Sequence, residues 1–63
     1  PNVALILNNL AALYNSQDIY SEAEDLLKQA LDIYERSLGV NHPRTVTCCE
    51  DLAYLRDHLN SQQ

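Results

Sequence analysis

Along this chain the first apolar residues fall at three- and four-residue steps, the spacing of a helical face. Leu7, Leu10, Ala11 and Tyr14 make one stripe, and Ile6, Leu10 and Leu13 make a second beside it. Two adjoining stripes predict a helix buried on two sides, over about residues 2–16. Pro1 suits its first position, where a missing N–H costs nothing. "NSQD" then breaks the pattern with turn-favouring residues. Ala23, Leu26, Leu27, Ala30, Leu31, Tyr34 and Leu38 follow as the clearest amphipathic pattern of the chain. They predict a second helix over about 20–38, with Asp25, Lys28, Gln29, Asp32, Glu35 and Arg36 on its solvated face. Ser21 and Glu24 have the S-x-x-E spacing of a capping box, and Asp18 is an alternative cap one turn earlier. Gly39 suits a left-handed position just past the helix end. In the short link "GVNHP" Asn41 or His42 can cap, and Pro43 opens a third helix. Val46, Cys49, Leu52, Ala53, Leu55 and Leu59 predict it over about 43–59, with 60–63 as a frayed tail. Both connections are short, which makes successive helices antiparallel neighbours.

The pattern then starts over. Pro1, Leu10, Ala11 and Leu13 recur as Pro43, Leu52, Ala53 and Leu55, an offset of 42 residues. Two helices followed by a restart describe a helical repeat, which buries its core by stacking and presents a long surface to partners. The expected fold is all-α: an antiparallel helix-turn-helix repeat, a fragment of an α-solenoid, with a third, capping-type helix. Residues 1–63 are read as a single unit. Ala11 and Ala23 are expected where the first two helices cross, and Ala30 where the second meets the third. Small residues there let backbones approach while Leu and Tyr fill the gaps beside them.

Composition narrows the function. At 63 residues there is room for one small domain with a thin core. The net charge is −5, and Lys28, Arg36, Arg44 and Arg56 are scattered. Phosphate backbones need clustered cations, so nucleic acid is not an expected partner. No apolar run approaches the roughly 20 residues of a membrane helix. A first residue other than Met, with no Met elsewhere, suggests a processed start or an excised fragment. Cys48 and Cys49 are adjacent, so on a helix they diverge and do not bridge. They read as reduced thiols of a cytoplasmic protein, with Cys49 a small core residue and Cys48 partly exposed. His42 and His58 with these cysteines match no zinc spacing, so no metal or cofactor is expected. No nucleophile, base and orienting group stand together, and there is no Gly-rich phosphate loop, so no enzyme is expected.

The segments "LNNLAALY" and "QALDIYERSLGVNHP", with Tyr20 and "EAE" between them, resemble the tetratricopeptide repeat in the 42-residue form typical of kinesin light chains. The resemblance covers about residues 1–43 as one full repeat. Leu7, Leu10, Ala11, Tyr14, Tyr20, Ala23, Leu27 and Ala30 fall on its signature positions. Residues 43–59 look like the first helix of a following repeat or a terminal cap. Asp18 stands where the family usually has Gly, in a turn that favours positive φ. Cys49 replaces a larger residue, and Glu50, Asp51, Arg56 and Asp57 make the third helix polar, as a cap requires.

The resemblance implies a protein-interaction module, part of a larger scaffold or adaptor that binds a peptide in a concave groove. The groove positions it implies are Leu5, Asn9, Ala12 and Ser16, with Thr47, Asp51, Tyr54 and His58 from the third helix. In kinesin light chains and their relatives an Asn at the position of Asn9 contacts the backbone of an extended peptide. A carboxamide offers a peptide unit both donor and acceptor, although Asn9 also fits a plain solvated position. Asp51 adds negative charge and favours a peptide carrying Lys or Arg. None of these positions is Lys or Arg, so a clamp for acidic C-terminal peptides is not expected. The alternative function is structural. Ile6, Leu10 and Leu13, uncovered by any preceding helix, would pair with a second copy as a homodimer.

Overall fold

The computed structural model describes residues 3–61, which form three helices: α1 (Val3–Ser16), α2 (Tyr20–Leu38) and α3 (Pro43–Ser61). Pro1, the expected helix start at Asn2 and the last two residues of the expected tail lie outside this range, while Asn60 and Ser61 continue α3. The helix ends follow from local chemistry. Past α1, the Asp18 N–H donates to the Asn15 carbonyl and the Ile19 N–H to the Tyr14 carbonyl. Those two bonds, with Asp18 at φ 63°, are a Schellman stop with Asp in the glycine position. The Asp18 carboxylate is used elsewhere, accepting from the Tyr20 hydroxyl at 2.7 Å. This corrects both expected caps of α2. The helix starts at Tyr20 with Ile19 as N-cap and no side-chain cap bond, so Ser21 and Glu24 already lie inside it. Glu24 instead accepts from Arg56 of α3 at 3.0 Å.

Gly39 ends α2 at φ 89°, ψ 160°. The φ is positive as expected, but the ψ is extended rather than left-handed helical, a region essentially restricted to glycine. His42 caps α3, its Nδ1 accepting the Arg44 N–H at 3.1 Å.

α1 and α3 each pack along α2 and hardly touch one another. The result is a layer of three rods, 34 × 19 × 13 Å, little thicker than one helix. Its core is Ala4 and Ala11 from α1, Ala23, Leu27, Ala30 and Tyr34 from α2, and Thr45, Cys48, Leu52 and Leu55 from α3. Ala23 and Ala30 are both 0% exposed, so the alanines expected along α2 as notches are fully covered by the packing.

α3 departs from its expected face. Val46, Cys49 and Ala53 are exposed and Cys48 is 2% exposed, the reverse of the reading for the two cysteines. The repeat explains the reversal. Shifted back by 42, the α3 core positions Thr45, Cys48, Leu52 and Leu55 become Val3, Ile6, Leu10 and Leu13, all exposed on α1. Likewise the exposed Val46 and Ala53 are the repeat-mates of Ala4 and Ala11, buried on α1. The helix type shared by α1 and α3 thus has two apolar faces. α1 meets α2 with one and α3 meets it with the other. Assigning the α1 face to α3 misplaces it by a rotation of one residue, about 100°.

Candidate functional site

Because α1 and α3 splay apart on α2, a trough runs between them, floored by α2. Three hollows mark it. The first, ≈ 240 Å³, has Asn8, Ala12 and Asn15 on the α1 wall, Asp51 and Tyr54 on the α3 wall, and Leu27 beneath. The second, ≈ 210 Å³, lies between Asn8 and the start of α3, at Pro43, Arg44, Thr47 and Cys48, over Tyr34. The third, ≈ 320 Å³, lies between Leu5 and Arg44, over Ile33, Tyr34, Ser37 and Leu38. Asn8 lines the first two hollows and Tyr34 and Arg44 the last two, so the three are segments of one trough.

Helical spacing builds both walls. Leu5, Asn8, Ala12 and Asn15 step by three, four and three along α1. Arg44, Thr47, Asp51 and Tyr54 step by three, four and three along α3. Each set is one stripe. Asn8 and Asn15 offer carboxamides, which both donate and accept, and Thr47 and Tyr54 offer hydroxyls. The apolar floor and two rows of hydrogen-bonding groups suit the backbone of an extended chain.

Of the expected groove residues, the trough brings together Leu5, Ala12, Thr47, Asp51 and Tyr54. Asn9 is exposed and stands off this wall, as does Ser16, whose hydroxyl donates to the Leu13 carbonyl at 2.7 Å. His58 is half-buried with its ring centroid 4.4 Å from that of Tyr20 and 6.5 Å from that of Tyr54, at the far end of α3. Helix geometry gives the reason. Asn9 and Ser16 each follow a trough residue, Asn8 and Asn15, by one position, which turns them about 100° around α1 from those two side chains. Asn8, Asn15 and Arg44 line the trough without belonging to the expected set. The three-four-three spacing was the available signal for the α1 pair. Arg44 also supplies the cation absent from the expected groove set.

Two ionisable groups are perturbed. The Tyr20 hydroxyl is held above its usual range, first by its hydrogen bond to Asp18 and then by desolvation and the nearby negative charge. Burial pushes the Cys48 thiol up, and Asp51 adds to the effect. An elevated thiol pKa makes a poor nucleophile at neutral pH. Among the described residues, no group of three or more His, Cys, Asp or Glu is placed to hold a metal. No helix there is long and apolar enough to cross a membrane.

A family model described as tetratricopeptide repeat matches residues 3–44. That span takes in α1, α2 and the first residues of α3. No curated protein and no solved structure matches the chain.

Proposed function

The chain belongs to the tetratricopeptide-repeat family, and on that premise we propose that its trough receives an extended peptide segment of a partner protein. Members of the family are in general protein–protein interaction modules rather than catalysts. The observation that carries the reading is Asn8, which lines two adjoining hollows and offers a donor and an acceptor at the middle of the trough. Leu5, Ala12, Thr47, Asp51 and Tyr54 complete the contact surface. In a longer array Asn9 would take the part that Asp51, its repeat-mate, takes here. The 42-residue offset and the "LGVNHP" link support the kinesin-light-chain-like form. The free Cys48 and Cys49 support a cytoplasmic setting.

Selection of random displayed peptides on the immobilised protein tests this. Binding of the recovered peptides is expected to be lost in Ala12→Arg, which fills the trough from an exposed position, and weakened in Asn8→Ala. Peptides that bind both variants as well as the parent protein would remove the trough from the account.

A second reading rests on the repeat relation of the α1 stripe. Ile6, Leu10 and Leu13 stand where α3 has the residues that meet α2, so the stripe has the shape of a helix-docking face. A second copy has its own α2 covered by α3. It would therefore meet the stripe with its own α1, as a symmetric dimer. Sedimentation separates the cases: a dimer that Leu10→Glu splits supports this reading, and a monomer at high concentration removes it.

A further inference from the structure

We propose that the trough selects a peptide carrying one basic and one acidic side chain about three residues apart, the base seated against Asp51 and Tyr54 and the acid against Arg44. This rests on the peptide reading above and narrows its ligand, which the negative charge of the chain by itself suggests to be basic.

The charged groups lining the three hollows are Asp51 and Arg44. The α1 wall is neutral, and so is the α2 floor. Asp51 belongs to the first hollow, and Arg44 to the second and third. The trough therefore has a negative end and a positive end. Both groups lie on one face of α3, two helical turns apart, which at 1.5 Å per residue is about 10 Å. An extended chain covers that distance in about three residues at roughly 3.3 Å each.

Neither charge is spent within the fold. The ion pairs among the described residues join Arg36 to Asp32 and Arg56 to Glu24, both away from the trough. The surroundings strengthen each end. Tyr54 is 69% exposed beside Asp51, and its ring offers a Lys or Arg a π face in addition to the carboxylate. Arg44 lies in the first turn of α3, where the helix dipole adds to its positive potential. Such exposed pairs are individually weak, so each is expected to change affinity by about three- to fivefold, less at high salt.

The test runs the peptide selection in parallel on the parent protein and on Asp51→Asn and Arg44→Gln, with circular dichroism confirming helicity. Capped synthetic versions of the recovered peptides are then titrated by fluorescence polarisation. Peptides from the parent protein are expected to pair a Lys or Arg with an Asp or Glu two to four residues apart. Arg44→Gln is expected to keep the preference for the base and lose that for the acid, and Asp51→Asn the converse. Neutralising one peptide charge should weaken binding about three- to fivefold to the parent protein and leave the matching variant unchanged. If recovered peptides show no such pair, or each neutralisation costs the same in all three proteins, the inference falls while the peptide trough stands. If no recovered peptide is sensitive to Ala12→Arg, the peptide trough falls and takes this inference with it.

Discussion

The thiol of Cys48 donates to the main-chain carbonyl of Leu27 at 3.6 Å, which fixes α3 against the middle of α2. Near the C-terminal half of α3, Arg56 reaches Glu24, and the His58 ring lies against Tyr20. These contacts hold α3 along α2 and off α1, and the trough is the space that this docking leaves.

The two adjacent cysteines should behave as chemically different residues. Cys48 is buried with a raised thiol pKa, whereas Cys49 is exposed. Iodoacetamide at neutral pH is expected to alkylate Cys49 first, with Cys48 reacting only on unfolding, as read by mass spectrometry. Because the folded pKa of Cys48 is raised, the stability it contributes is intact below the ordinary thiol pKa of about 8.5. It is lost as pH rises from there through the folded value. Between pH 7 and pH 10 the melting midpoint should fall more steeply in the parent protein than in Cys48→Ala. Equal slopes would contradict the burial.

Thr45 is 2% exposed, and its hydroxyl oxygen has no hydrogen-bond partner. Its repeat-mate is Val3. Thr45→Val keeps the shape and removes an unmet polar group, and is expected to stabilise the fold by about 1 kcal/mol. For a domain of this size that is a rise of roughly 5 °C in Tm. Thr45→Ser keeps the unmet hydroxyl and loses a packed methyl, so its Tm should fall.

Ala23 is fully buried in α2. Ala23→Leu adds three carbons where there is no free space and should cost roughly 1–3 kcal/mol. Glu22→Ala, one residue away on the exposed face, should change stability by less than about 0.5 kcal/mol. Chemical denaturation of the two variants checks the contrast, and equal costs would mean that the packing leaves room at Ala23.

The helices were legible in the sequence because α2 has a single apolar face, and Gly39, His42 and Pro43 punctuate the link between α2 and α3. α3 was harder. Its apolar residues serve two faces, Thr45–Cys48–Leu52–Leu55 and Val46–Cys49–Ala53, and periodicity does not say which face has a neighbour. The buried residues include a Thr and a Cys, which a hydrophobicity pattern undervalues. The lining of the trough was legible in part. Asp51, Tyr54, Ala12, Thr47 and Leu5 follow from position in the repeat. Asn8 and Asn9 sit side by side in the chain, yet only Asn8 lines the trough, a distinction set by how α1 is turned on α2 rather than by residue type.

The proposed function places a ligand between α1 and α3. Amide chemical-shift mapping by NMR tests that placement most directly, titrating a selected peptide into the uniformly labelled chain. The expected result is saturable shifts at Asn8, Ala12, Thr47, Asp51 and Tyr54, with Ile6 and Leu13 unmoved. Shifts confined to Ile6, Leu10 and Leu13, with the trough silent, would contradict it.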